Sequence, residues 1–237
     1  MKLFLFELAT LQPYGIPVPG YLIQTDEGKN ILIDTGLPER FIENPPSVPG
    51  FTIKMRAQDY IVQRLATIGL TPSDINQVII THFDADHAGN LAPFYHAEMI
   101  VQRRQYEAAK AGNPRFAGVR DQWDNPAIRY RLVDGDTTVA PGIELVETSG
   151  HAPGHQSVLV QLPETGPVLL AIDAIADANL LDPETRAMAL NDDNEAELRA
   201  STRKLVDLAS REHVALLIHG HDATQWPTLK QAPEYYA

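Results

Sequence analysis

Cysteine is absent from this sequence, so neither disulfides nor thiolate ligands are available, and any transition metal has to be held by imidazole and carboxylate. That is compatible with a reducing cytoplasm, the expected location. Basic residues are scarce: 19 Lys and Arg against 31 Asp and Glu leave a net charge of −12, which repels a phosphate backbone and argues against nucleic acid as a partner. Long apolar runs are missing too. The opening stretch, residues 1–10, holds too few residues to span a bilayer, and no small-residue cleavage site follows before Gln12. We therefore expect a first core strand there and no membrane association. Nor is the composition extreme, with 44% hydrophobic and 21% charged residues, so residues 1–237 are expected to fold as one domain.

What the sequence does contain is a series of short apolar runs bounded by Gly, Pro or charged residues. They predict strands over 3–8, 21–25, 31–34 and 78–81, then over 97–101, 143–148, 157–162, 168–172 and 214–218. Tyr60, Ile61, Leu65 and Ile68 fall at helical spacing within 57–68, with Gly69 as a stop and Pro72 blocking continuation. A second helix is expected over 195–210. Strands followed by helices in both halves predict an α/β protein, an αββα sandwich of two facing mixed sheets with outer helices. Segments 38–54 and 112–125 read as long loops, whose Phe41, Phe51, Phe116 and Trp123 either line a binding wall or anchor the loops. Arg103, Arg104 and Lys110 read as the solvated face of a helix after strand 97–101.

Four ligand-type residues, His82, Asp84, Asp86 and His87, crowd into six positions of a strand-to-helix turn. A lone His or Asp at a strand end is usually a hydrogen-bonded cap, but such density is hard to explain structurally. His151 and His155 stand in SGHAPGH, Asp173 closes the apolar run PVLLAID, and His221 stands in HGHD. Each follows a predicted strand, and ligand sites of α/β sheets form outside the carboxyl ends of strands. His219, two residues before His221, shares its side of an extended segment. His155 reads as an orienting neighbour and Asp34 as a residue that fixes a turn beneath the site. His96 and His213 have no motif around them.

In this order, HFDADH, GHAPGH, AID and GHD resemble the successive metal motifs of the metallo-β-lactamase superfamily. Within it the chain is similar to the quorum-quenching N-acyl-homoserine lactone lactonases, through ILIDTG, IVQRRQYEAAKAG, DGDTTVAPGIELVETSGHAPGHQS and PVLLAIDA as well. The resemblance implies that His82, Asp84 and His151 hold one metal ion, that Asp86, His87 and His221 hold a second, and that Asp173 bridges them. It favours His221 over His219 as the ligand. It also implies a hydrolase that opens a lactone ring through a hydroxide shared by two divalent ions, with Asp86 doubling as proton carrier. The expected partner is a small lactone or ester, and the expected assembly is a homodimer, the commonest soluble oligomer.

Three positions depart from that pattern. Asp84 stands where the family usually has His. A carboxylate is a harder, anionic donor, so zinc leads as the expected ion while manganese or iron gains ground. Ala176 and Ala85 stand where quorum-quenching lactonases carry Tyr and usually Phe. The alternatives left open are another ester, lactone or phosphoester hydrolase of the superfamily, a di-iron redox protein, and a non-catalytic metal binder. Flavin-linked di-iron relatives carry Glu at the place of Asp84, though no flavin domain is expected here.

Overall fold

Side chains alternate faces along a strand, and the first strand of the computed structural model, which describes residues 1–47 and 50–237, uses both of its faces. In β1 (Lys2–Gln12), Leu3 and Leu5 pack inward between two sheets while Phe4, Phe6 and Leu8 pack outward beneath helices. That double burial explains why the opening of the chain reads as apolar without interruption.

Seven strands form the first sheet: β1, β2 (Ile16–Gln24), β3 (Asn30–Ile33), β4 (Thr52–Lys54), β5 (Gln77–Ile79), β6 (Glu98–Gln102) and β7 (Arg129–Val133). Their order is β4-β1-β2-β3-β5-β6-β7, antiparallel up to β3 and parallel from β3 to β7. The second sheet contains β8 (Thr137–Ala140), β9 (Ile143–Glu147), β10 (Gln156–Leu162), β11 (Gly166–Ile172) and β12 (Leu216–His219) in the order β12-β11-β10-β9-β8, with only β11 and β12 parallel. Ile23, Ile33, Ile79 and Ile100 of the first sheet meet Leu145, Val158, Val160 and Leu170 of the second in one buried layer.

Helices close the outer faces. The helices α1 (Ile61–Ala66), α2 (Ala85–Ala88), α3 (Arg103–Lys110) and α4 (Arg120–Trp123) cover the first sheet, and α5 (Glu195–Arg211) covers the second through Leu205 and Leu208. The Asn194 side chain caps α5 by accepting from the Glu197 N–H at 3.1 Å, and Glu195 and Glu197 suit the positive end of the helix dipole. The result is the expected αββα sandwich of two mixed sheets. Among the described residues no helix is long and apolar enough to cross a membrane.

Several local expectations are corrected. The helix predicted over 57–68 is a 3-10 turn (Ala57–Asp59) followed by α1, because Tyr60 is extended (ψ 134°) and breaks the run. Segment 38–54 holds a 3-10 turn at Glu39–Phe41 and the edge strand β4; its Val48 and Pro49 lie outside the described residues. Segment 112–125 is mostly helical, a 3-10 stretch Pro114–Val119 running into α4. Its Phe116 and Trp123 are core residues rather than binding-wall residues: Trp123 stacks on Phe83 at 5.3 Å and its indole N–H donates to the Phe116 carbonyl at 2.9 Å. Phe41 packs on the cluster of Leu37, Ile53 and Met55, and Phe51 meets Tyr14 edge-on. The last strand begins at Leu216 rather than at residue 214, after a turn in which His213 has φ 51°.

Candidate metal centre

The carboxyl ends of β3, β5, β11 and β12, with the turn after β9, converge on one point between the sheets. After β5, the Thr81 N–H and hydroxyl donate to Asp34 Oδ1 (2.8 Å) and Oδ2 (2.7 Å), which pins His82 at the turn beyond β3 and β5. Asp84 has extended backbone and begins α2, whose single turn carries Asp86 and His87 back toward His82. After β9, Gly150 has φ +131°, and a Cβ there would lie 2.2 Å from the Leu198 backbone nitrogen, so only glycine lets the His151 turn pass beneath α5. At the end of β11, Ile172 has φ 52° and ψ −143°, a strained conformation for a β-branched residue that costs about 1–3 kcal/mol. That kink redirects the chain at Asp173.

The side chains form two sets around Asp173. On one side, His82 Nε2 lies 3.4 Å from Asp84 Oδ2, His151 Nε2 lies 3.3 Å from the same oxygen, and Asp173 Oδ2 stands 3.9 Å from His82 Nε2 and 3.2 Å from His151 Nε2. On the other, Asp86 Oδ2 lies 3.7 Å from both His87 Nε2 and His221 Nε2, which stand 3.4 and 3.1 Å from Asp173 Oδ1. Donors about 2.0–2.2 Å from one ion at tetrahedral corners stand roughly 3.3–3.6 Å apart, so both sets have cation-binding dimensions.

Each of the four imidazoles is oriented from behind. His87 Nδ1 donates to Asp34 Oδ2, His151 Nδ1 to Asp192 Oδ1 and His221 Nδ1 to the Pro17 carbonyl, all at 2.8 Å. The Thr81 hydroxyl, whose proton goes to Asp34, accepts from His82 Nδ1 at 3.1 Å. With every Nδ1 acting as donor, every Nε2 is turned toward the centre, where His151 Nε2 meets Arg115 Nη2 at 2.7 Å and His221 Nε2 meets Asp173 Oδ2 at 3.2 Å. His82 Nε2, His87 Nε2 and Asp173 Oδ1 are buried and have no hydrogen-bond partner among the described residues. Buried orphans of this kind, aimed at one point, fit a bound cation.

Electrostatics agree. Burial alone would lower His87 and His151, but the carboxylates outweigh it: Asp173, Asp86 and Asp34 bring His87 to about 10, and Asp173, Asp192 and Asp84 bring His151 to about 9. Burial would raise Asp84 and Asp173, yet His82, His151 and Arg115 hold Asp84, and His221, His87 and His151 hold Asp173, well below the carboxylate range. The surrounding carboxylates thus concentrate enough negative charge to favour protons on His87, His151 and His221, while burial and the neighbouring His87 push His82 down; divalent cations would take the place of those protons.

Of the remaining histidines, burial and the neighbouring His82 and His151 push His155 well down. Neutral, it accepts from the Asp173 N–H through Nε2 at 3.2 Å and meets the Thr148 hydroxyl through Nδ1, so it supports the bridging position. His219 turns aside to Asp222 at 2.9 Å, while His96 and His213 are exposed. Sequence reasoning missed Asp192, the partner of His151, and Arg115, whose guanidinium forks onto Asp84. Neither carried a motif. Arg103, Arg104 and Lys110 form surface ion pairs with Asp134, Glu197 and Asp124.

A cleft of about 290 Å³ opens over Asp86, His151, Asp173 and His221, with Leu11, Ile16, Leu180 and Ala176 on its apolar side. None of Phe41, Phe51, Phe116 or Trp123 borders it.

An αββα sandwich with paired His/Asp sets at its strand ends defines a class of metal-binding α/β protein. The chain belongs to the metallo-beta-lactamase superfamily, whose family model matches residues 14–221. It is 35% identical over 236 residues to an N-acyl homoserine lactonase of Bacillus sp., covering 96% of this chain and 91% of that one. It is 36% identical over 237 residues to the N-acyl homoserine lactonase AttM of Azorhizobium caulinodans, covering 94% and 88%. A crystal structure of a mutant AiiA from B. thuringiensis, with N-decanoyl-L-homoserine bound at the active site, superposes with a TM-score of 0.87 at 29% identity, over 99% of this chain and 98% of that one.

Proposed function

We propose that this chain is a dinuclear metal-dependent hydrolase that opens the ring of N-acyl-homoserine lactones or closely related lactones, with residues 1–237 as one catalytic unit. The observation that carries the reading is Asp173, whose carboxylate stands between the two sets, 3.9 and 3.2 Å from His82 and His151 Nε2 and 3.4 and 3.1 Å from His87 and His221 Nε2. The reading is supported by relatives named as N-acyl homoserine lactonases across more than nine-tenths of the chain, and by the ring-opened N-decanoyl-L-homoserine in the active site of the AiiA structure.

His82, Asp84 and His151 would hold one divalent ion, Asp86, His87 and His221 the other, with Asp173 shared. Zinc suits a tetrahedral set of imidazole and carboxylate donors, and the carboxylate of Asp84 admits manganese or iron. When bound, the ions supply Lewis acidity, polarising the ester carbonyl and making water nucleophilic near neutral pH. Asp86 Oδ2 faces His87 and His221, and its Oδ1 makes no hydrogen bond among the described residues. With its side chain 29% exposed, Asp86 would take the proton released as water adds to the carbonyl carbon. It would return that proton to the ring oxygen as the carbon–oxygen bond breaks, leaving a free hydroxyl and a carboxylic acid, which ionises to a carboxylate and releases a proton. Leu11, Ile16 and Leu180 offer an apolar wall to an acyl chain. Ala176 and Ala85 leave room where quorum-quenching lactonases carry aromatic groups.

A pH-indicator assay tests the reading, because ring opening releases acid. Metal-loaded protein is expected to act faster on N-acyl-homoserine lactones than on linear esters or phosphodiesters, and a chelator should abolish the signal. Preference for a phosphodiester or a linear ester would overturn the lactone assignment while leaving the hydrolase intact.

A further inference from the structure

We infer that Arg115 and Asp84 act as one ligand unit, in which the guanidinium positions the carboxylate and cancels its charge. The inference rests on the dinuclear reading above. Arg115 Nε donates to Asp84 Oδ1 at 2.6 Å while Nη2 donates to Oδ2, a two-pronged fork between groups whose side chains are only 17% and 15% exposed. Nη1 donates to the His151 carbonyl at 2.7 Å and to the Asn191 carbonyl, and Nη2 stands 2.7 Å from His151 Nε2. The Arg115 backbone is itself held, its N–H donating to the Asn113 side chain at 3.0 Å at the start of the 3-10 stretch.

A carboxylate in place of imidazole poses two problems: it adds a negative charge, and it offers two oxygens where imidazole offers one nitrogen. Arg115 answers both. Nε and Nη2 take one oxygen each and hold the carboxylate so that Oδ2 is the oxygen facing His82 and His151, at 3.4 and 3.3 Å. The fork fixes the carboxylate plane in a way that a point charge would not. The positive charge returns the first donor set to the formal charge of an all-imidazole set. Arg115 is thus a positioning residue that acts through Asp84.

The consequence is counterintuitive. Asp84→His restores the residue that the family usually has at this place, yet it strands a guanidinium beside the first ion with no counter-charge. Zinc affinity and stoichiometry, read by calorimetric titration and metal analysis of chelator-stripped protein, test this in wild type, Asp84→His, Arg115→Leu and the double variant. Wild type should bind two ions. Asp84→His should keep the second ion and bind the first roughly 10–100-fold more weakly, and adding Arg115→Leu should recover most of that loss. Effects that simply combine, with the double variant no tighter than Asp84→His, overturn the inference. Wild type that binds fewer than two zinc ions sinks the dinuclear reading instead. Should Asp84→His fail to fold, a cooperative unfolding transition regained in the double variant supports the unit, and its absence contradicts it.

Discussion

In the proposed centre Asp173 is the shared residue, because its carboxylate stands between the two donor sets and the His155 ring supports its backbone nitrogen. Asp173→Ala should therefore reduce binding at both positions together, and metal analysis should find less than one ion per chain. Two ions retained would rule out the shared role. Behind the donors, Asp34 accepts from His87 Nδ1 at 2.8 Å, and Asp34→Ala should weaken the second ion roughly 10–100-fold in a zinc titration while the first is less affected. The seven proposed donors were legible in the sequence because they cluster in motifs at strand ends. Arg115 and Asp192 were not, since the chain brings NPRF and NDDN to the site only through tertiary packing. Asp34 was legible as a turn residue, but its bond to His87 needs the parallel pairing of β3 with β5.

At the scale of elements, α1 is tied to β1 by charge as well as by Ile61 and Leu65. Asp59 accepts from Arg56 Nε at 2.8 Å and from Arg64 Nη2 at 2.7 Å, and Arg64 Nε donates to the Glu7 carbonyl. Burial works against the Asp59 anion, but the bonds from Arg56 and the charge of Arg64 hold it below its ordinary value. A lowered carboxylate stabilises the fold above the unfolded value of about 3.9, and that contribution is lost as pH falls through the folded value. Urea unfolding should thus find Asp59→Asn less stable by about 2 kcal/mol near pH 7, with the deficit shrinking below about pH 4. A deficit independent of pH would contradict the assignment. Strands buried on one or both faces were readable from apolar runs. The short edge strand β4, the polar β7 (RYRLV) and the single turn of α2 were not, because they are too brief or too charged to carry a period. Segment 112–125 misled for a related reason: its Pro, Gly and aromatics look like loop chemistry, whereas Phe116 and Trp123 are drawn into the core beside Phe83.

At the scale of the molecule, the centre joins strand ends from both sheets, so cation binding should stabilise the whole sandwich. Metal at a hundredfold excess over its dissociation constant adds about 2.7 kcal/mol, and a chain of this size gains about 2–4 °C per kcal/mol. Metal loading should accordingly raise the thermal midpoint by about 5–11 °C in calorimetry, and a chelator should reverse the shift. An unchanged midpoint would mean that the strand ends are held without the ions. The central claim is that paired cations around Asp173 carry out lactone opening, and one titration tests it most directly. Chelator-stripped protein receives zinc in steps while acid release from an N-acyl-homoserine lactone is recorded. The account predicts turnover that climbs until two ions are bound per chain and then levels off; full turnover at a single ion, or none at two, would contradict it.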